Sequence, residues 1–563
     1  MAHGTQQRGG LSAPFRDDDP TMLCPHATER AARHACQAGM PIIDGSSMTS
    51  STFGRGQHAH TTHLTHCAIP PTRLDRRHLL KAGLTTTGAL LLPAHLAFAQ
   101  DATPAATSAA LTAEEAGWLA QATRQDINGW IHLRIGGAPF ARGFQHGYLT
   151  AAEYADALRV YEAMTYQTMG FEYGFFVEKA VEFHKDKITP ELLEEMSGIA
   201  AGYSKAGFPT TVDDIIGWNA YMEITGYWWP TVASQYVNDA PNGNRKSHCS
   251  AFIATGSATT DGRIVIGHES FTEFWNGQFM NVIIDLTPDD GHRLVYQTSP
   301  GWIASMTDFW VTGGGLVVVE TTMVGYEGYD TSKVPEYVRA RNAGQYGNSI
   351  DEWVELMDAK NNGGYANMWL LGDIKTGEIA DYEQGLIYQD LRKKSDGWFY
   401  GDNAPHDPRI RHVESSDTGY NDVRQQTGAR RVRWPQLLTQ YEGRIDAEIG
   451  QTMLADTFDP YLGYINPSSR TICSHYDADP MQYVSDPNAV WNIPFYPAGS
   501  VEGKVTTAAM AEDMSMWGRF GRADGAPFDA EEFLRIHPQW NWQEGYLANR
   551  PSQPWTEFDG TTG

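Results

Sequence analysis

An α+β fold is predicted, on three observations. Apolar residues recur at three- and four-residue spacing from Leu111 to about Trp229, which is helical periodicity. From Ser250 onward the texture changes to short apolar and β-branched runs separated by Gly- and Asp-rich turns, which predicts an antiparallel sheet. Helical spacing then returns in separate blocks, and helices segregated from a run of strands are the mark of the α+β class.

Residues 1–72 are polar, poor in aliphatics and low in complexity, and are expected to be absent from the mature protein. They hold His58, His60, His63, His66 and Cys67, a spacing compatible with metal binding, but lie upstream of a processing segment. Residues 73–99 are that segment. Arg76-Arg77 leads into an apolar run from Ala82 to Leu92 and then Ala97-Phe98-Ala99, the order of a twin-arginine export signal with a small-residue cleavage site. The run is shorter than the ~20 residues of a membrane-spanning helix, so no transmembrane anchor is expected and the product should be periplasmic or secreted.

Residues 100–248 form a mainly helical region, with segments at Ala151–Met164, Phe175–Phe183 and Pro190–Tyr203 and one extended piece at Ile131–Ile135. Its end, Asn238 to Lys246, is polar, turn-rich and aperiodic, an exposed loop of the sort that proteases cut. Residues 249–563 carry the predicted sheet. Strands are expected at Ser250–Thr255, Arg263–Ile266, Asn281–Leu286, Arg293–Gln297, Phe309–Thr312 and Leu316–Thr321, with a further pair at Met368–Gly372 and Glu378–Glu383. Helices are expected at Pro335–Gln345, Ile350–Ala359, Ala429–Gln440, Asp446–Thr457 and Asp529–Ile536. Arg339 and Arg341, two apart on a helix, should point to different faces, one of them into solvent.

Composition removes several classes. The net charge is −26 and the mature region has no basic block, so nucleic acid is not an expected partner. Of the five cysteines only Cys249 and Cys473 lie beyond residue 99, which permits one disulfide and excludes a disulfide scaffold. No Gly-x-Ser-x-Gly elbow and no His-Glu-x-x-His occurs, so the chain has the motif of neither a serine lipase nor a zinc peptidase. No cofactor and no metal centre are expected.

The residue that carries chemistry is Cys249, which directly follows the exposed loop and opens the first predicted strand. One backbone cut between His248 and Cys249 would place a thiol and a new α-amino group on the same residue. A thiol titrates near ~8.5 and an α-amine near ~7.7 to 8.0, so the amine serves as the thiol's own base at neutral pH.

Three ordered motifs surround it: Ala141-Arg142-Gly143-Phe144-Gln145-His146-Gly147; Cys249-Ser250-Ala251-Phe252 with Asp261-Gly262-Arg263; and Gly363-Gly364-Tyr365-Ala366-Asn367-Met368-Trp369 with Gly372-Asp373. Together they resemble the isopenicillin N acyltransferase-like cysteine hydrolases. Gly267-His268-Glu269-Ser270-Phe271 and the Tyr365–Trp369 run are still more similar to the phospholipase B-like proteins of the same superfamily, and the resemblance spans roughly Ile131 to Phe558. It implies a four-layer αββα sandwich of the N-terminal nucleophile hydrolase type, made as a precursor and split at His248/Cys249 into associated α (100–248) and β (249–563) chains. It implies Cys249 as nucleophile and Asn367 as a donor to the tetrahedral oxyanion. Glu269-Ser270-Phe271 stands where the acyltransferases have Asn-x-Asp, so the carboxylate expected to orient the cysteine's amine is missing there, and His268 and Ser270 are the candidates for that work. Asn403 would order the site, Arg470 would bind a substrate carboxylate, and Arg142 and His146 would shape the pocket or the junction.

The function these readings support is an amidase that acylates Cys249 with a small N-acyl or lipid-like substrate and hydrolyses the thioester. Acyl transfer or phospholipase B-like lipid deacylation on the same fold are the alternatives, and a non-catalytic exported binding protein is the alternative of another class.

Overall fold

The computed structural model describes residues 110–238, 249–305, 309–481 and 493–560. The candidate metal ligands upstream, the export signal and His248 lie outside them. Among the described residues seventeen strands follow in chain order. The first eight are β1 (Thr123–Ile127), β2 (Trp130–Gly137), β3 (Cys249–Thr255), β4 (Val265–Glu273), β5 (Val282–Pro288), β6 (Leu294–Thr298), β7 (Phe309–Thr312) and β8 (Leu316–Thr322). Next come β9 (Asn367–Asp373), β10 (Glu378–Gln384), β11 (Gln389–Lys394), β12 (Gly397–Gly401), β13 (Phe458–Asp459) and β14 (Tyr464–Ile465). The last three are β15 (Ala498–Thr507), β16 (Met516–Phe520) and β17 (Thr556–Phe558).

They form a nine-stranded sheet in the order β1-β2-β5-β6-β7-β8-β9-β10-β11, a six-stranded sheet in the order β12-β3-β4-β15-β16-β17, and the small hairpin β13-β14. The expected α+β class is what the chain adopts. All pairings are antiparallel except β2 with β5, so strands from the region before Cys249 are built into a sheet that otherwise belongs to the region after it. The isolated extended piece expected at 131–135 is therefore an integral strand. The sequence pattern did not single out β1, β11, β12, β13, β14, β15, β16 or β17.

Apolar residues gather in three main clusters. One joins the helices of residues 139–232 and 336–358 to the nine-stranded sheet through Leu133, Ile284, Val318 and Leu371. A second takes Ala251, Ile253, Ile264 and Ile266 from the six-stranded sheet together with Ile283, Val295, Val317, Val319 and Leu370 from the nine-stranded one. The third packs Phe252, Ala254 and Val265 against Trp434, Leu437, Leu438 and Met453 of the helices at 426–440 and 447–454. Alternate residues of β3 thus go to different clusters, the period of two that a strand buried on both faces requires.

The first motif has a packing explanation. Residues 139–149 form a helix pressed against the helix at 190–205. A Cβ on Gly143 would stand 2.0 Å from the Glu195 carbonyl oxygen, on Gly147 2.2 Å from that of Ile199, and on Gly198 2.2 Å from that of Phe140. Backbone lies against backbone here, and any side chain would force the helices apart. Arg341, expected at a surface if Arg339 was not, is fully buried, as is Arg339. Arg341 reaches Glu195 at 2.9 Å, and Arg339 donates to the carbonyls of Val334 and Met357 and to Gln384, because each guanidinium supplies enough donors to satisfy a packed helix end from inside the protein.

Candidate active site

Cys249 begins β3, is buried, and pairs in register with Ser270 of β4, which in turn pairs with Glu502 of β15. One row along the same face, Ala251, His268 and Lys504 align. This polar row closes the end of the apolar cluster between the two sheets. Cys249 Sγ lies 3.1 Å from Glu320 Oε1 on β8, and the sulfur, a Glu320 oxygen and a His268 nitrogen are all within 4.8 Å of one another. Glu320 is further held by Tyr365 Oη at 3.4 Å and Thr322 Oγ1 at 3.4 Å.

Tyr365 is aimed by a strained loop. Its φ of 51° is left-handed, a conformation that costs about 1–3 kcal/mol for a non-glycine residue and persists only when its surroundings impose it. Here Glu223 imposes it. Its carboxylate accepts from Asn362 Nδ2 at 2.6 Å and from the Glu336 amide at 2.8 Å, while the side chains of Asn361 and Asn362 accept from the amides of Gly363 and Gly364. A Cβ on Gly364 would come within 2.1 Å of Glu223 Oε2, so glycine is required there.

Asn367 opens β9 between Thr322 and Gln384. Its side chain is fully buried and neither its amide nitrogen nor its oxygen has a partner among the described residues. An unmade buried hydrogen bond costs about 1–3 kcal/mol, which is tolerable where the donor serves a ligand. His268 is equally buried, and neither ring nitrogen is hydrogen-bonded to a described side chain. Burial first, and the charge of Lys504 second, hold it well below the usual imidazole range, so it is neutral at pH 7. Lys504 Nζ reaches Gln297 Oε1 at 2.7 Å, Ser270 Oγ at 3.4 Å and the Glu502 carboxylate. Glu502 also accepts from the Ser270 amide at 3.2 Å. Ser270 is thus anchored on both its backbone and its hydroxyl.

Residues 136–388 match the family model for phospholipase B, a span that contains Cys249, His268, Glu320, Tyr365 and Asn367. Over that span the chain is similar to the phospholipase B family. Phospholipase B of Crotalus adamanteus is 27% identical over 248 residues, 39% of this chain and 41% of that protein. An uncharacterized protein of Archaeoglobus fulgidus is 26% identical over 260 residues, 44% of this chain and 42% of its own. The matched regions cover less than half the length of these relatives. A conjugated bile acid hydrolase of Clostridium perfringens is 10% identical with a TM-score of 0.28, over 48% of this chain and 89% of that one.

The other residues singled out in the sequence take different positions. Asn403, left-handed at φ 71°, donates from Nδ2 to the Thr322 carbonyl at 2.8 Å, accepts from Arg430 at 2.8 Å and takes the Val324 amide on its own carbonyl. It fastens the end of β8, two residues beyond Glu320. Arg470 is fully buried between Asp459 and Asp479, at 2.8 and 3.2 Å, so its guanidinium is already held by two carboxylates. Arg142 bonds Glu195 and Glu191, both at 2.7 Å, and His146 Nε2 accepts from the Gly301 amide at 2.9 Å. These last two knit the glycine-packed helices to their surroundings and contact none of the residues around Cys249. Cys473 and Cys249 are both buried, and no disulfide joins them.

Glu320, Lys504 and Glu502 escaped the sequence reading. A signal existed: Glu320 interrupts Leu-Val-Val-Val on a strand whose other residues are apolar or Thr, and Glu502 and Lys504 sit two apart on one face of β15. Such charges are rarely buried unless paired or functional. Among the described residues no helix is long and apolar enough to cross a membrane.

Proposed function

We propose that the chain is an acyl-bond hydrolase made as a precursor, cut between His248 and Cys249, and that Cys249 is then its N-terminal nucleophile. The observation that carries this is the place of Cys249: first residue of a buried central strand, directly after residues 239–248, with its sulfur 3.1 Å from a buried carboxylate. In the precursor Glu320 accepts the thiol proton as sulfur attacks the His248 carbonyl, the Cys249 nitrogen leaves as an amine with that proton, and water hydrolyses the His248 thioester to complete the cut. After the cut the new α-amine takes over as base. Sulfur then attacks the substrate carbonyl, the Asn367 amide holds the oxyanion, the leaving group departs protonated, and water releases the acid from the thioester. Neutral His268 and Ser270, fixed by Glu502 and Lys504, orient the amine.

The three apolar clusters fit helix, sheet, sheet and helix layers, the αββα sandwich of N-terminal nucleophile hydrolases. An N-acyl amide is the substrate we favour, since a thiolate with its own amine can protonate a departing amine. The family match favours one second reading, deacylation of a lipid ester by the same residues. Parallel assays on an N-acyl amino acid and a lysophospholipid separate the two.

The central test is Cys249→Ala. It should leave one uncut, inactive chain, whereas wild type should appear on denaturing gels as two pieces, 100–248 and 249–563. Fully active, uncut wild type by intact mass would refute the mechanism. Export by the twin-arginine route is the second part of the proposal. With Arg76 and Arg77 both changed to Lys the protein should remain cytoplasmic and keep its leader, and normal periplasmic delivery of that variant would remove the assignment.

A further inference from the structure

A second cluster of chemically capable residues lies apart from Cys249, on the other side of β15. Cys473 is fully buried on the segment after β14, with its amide bonded to the Asp456 carbonyl. His475 makes an antiparallel bridge to Gly499 beside the start of β15. Asp524 follows β16, where its Oδ1 accepts from the Ala526 amide at 2.8 Å and its Oδ2 is turned inward. Cys473 Sγ, His475 Nε2 and an Asp524 oxygen all lie within 4.8 Å of one another.

The decisive detail is that both close contacts use the same atom. His475 Nε2 is 3.7 Å from Cys473 Sγ and 2.9 Å from Asp524 Oδ2. A nucleophile–base–carboxylate relay runs through the two different nitrogens of an imidazole, so this is not one. A single ring nitrogen carries one proton or one lone pair and cannot serve both neighbours well. Three donor atoms converging on one point is instead the arrangement a metal ion creates. Zinc bonds of about 2.3 Å to sulfur and about 2.0–2.2 Å to nitrogen and oxygen, at tetrahedral angles, put sulfur and nitrogen about 3.6 Å apart and nitrogen and oxygen about 3.4 Å apart. The first separation is met, and the second needs a shift of about half an ångström in one carboxylate.

The charge balance agrees. In the comparable group of Asp381, Glu383 and His406, Arg392 already bridges both carboxylates at 2.6 and 2.5 Å and supplies the positive charge. Among the described residues no lysine or arginine pairs with Asp524: Arg522 is held by Asp477 and Arg519 donates to the Ala523 carbonyl.

We propose that Cys473, His475 and Asp524 bind one divalent transition-metal ion, zinc by its match to a thiolate, an imidazole and a carboxylate, with water at the fourth position. The ion ties two separate pieces of chain, the 466–479 segment and the turn after β16, beside the start of β15. Burial pushes the free Cys473 thiol well up, and the ion displaces its proton to give the bound thiolate.

The test uses purified mature protein, stripped with chelator and then given zinc or, as a spectroscopic probe, cobalt(II). About one ion per chain should be retained, with cobalt showing thiolate charge-transfer absorption. Cys249→Ala should keep both. Cys473→Ser should lose the absorption, and Asp524→Asn, a near-isosteric change chosen to keep the fold, should weaken zinc binding at least tenfold. Circular dichroism confirms that each variant is folded. The proposal is overturned if wild type retains no ion at excess zinc, if Cys473→Ser binds cobalt with an unchanged spectrum, or if the absorption vanishes in Cys249→Ala instead.

Discussion

At the scale of single residues, two groups of the candidate site, Asn367 and His268, hold side-chain hydrogen-bonding capacity in reserve. Asn367 is the clearest: a fully buried amide without a partner is retained at a cost, and an oxyanion would repay it. Asn367→Ala should leave folding and processing intact and lower turnover by about 10² to 10³, since one preorganised donor is worth about 2.7–4 kcal/mol in such sites. Wild-type rates in the correctly cut variant would strike Asn367 from the mechanism. Cys249 and Asn367 stand out in the sequence as candidates because each sits in a motif whose neighbours are distinctive. Glu320 does not, because its partners come from β3 and from the loop before β9, and no local spacing announces a carboxylate placed by the meeting of two sheets.

At the scale of elements, the helix pair 139–149 and 190–205 shows where a motif was read for chemistry and turned out to govern packing. Gly143 and Gly147 permit backbone contact, and Arg142 and His146 are the polar residues that the contact buries. From sequence alone an Arg and a His four apart on a helix look the same whether they face a substrate or a second helix. The buried state of His146 has a measurable consequence. Burial holds its pKa down to about 4, against about 6.5 when unfolded, so the unfolded chain binds the proton more readily. Its contribution is complete above pH 6.5 and is lost as pH falls toward 4. His132, lowered by burial to about 4, and His184, lowered by burial to about 3, act in the same direction. His146→Gln, which keeps an acceptor for the Gly301 amide, should flatten the fall in urea midpoint between pH 6.5 and 4.5. An identical pH slope in the variant would show that other groups control acid stability. Long strands with alternating or uniform apolar runs were readable, whereas β11, with alternating exposed residues, and the short β12 and β17 owe their strand state to the neighbour they pair with.

At the scale of the whole described molecule, the α+β class was visible in the change of periodicity near Cys249, but the chain's connectivity was not. The sequence divides naturally at that residue, and the fold ignores the division: β1 and β2 come from before it and extend the same sheet as β5 to β11. Parallel pairing between β2 and β5 runs from Ile131–Val282 to Gly137–Pro288, a contact that separates residues by some 150 positions and leaves no trace in local pattern.

The same parallel pair implies a division of labour in solubility. β5 is almost wholly apolar, Val-Ile-Ile-Asp-Leu-Thr-Pro, and β2 covers its open side; β1, which then becomes the sheet margin, reads Thr-Arg-Gln-Asp-Ile and is largely exposed. A polar, short outer strand is the usual protection against edge-to-edge association, and β5 has none of its own. The segment ahead of Cys249 therefore acts as a built-in chaperone for the one after it. Residues 249–563 produced alone should aggregate through β5, and co-production with 100–248 should restore soluble protein. A soluble, monomeric 249–563 fragment by gel filtration would show that β5 needs no cover.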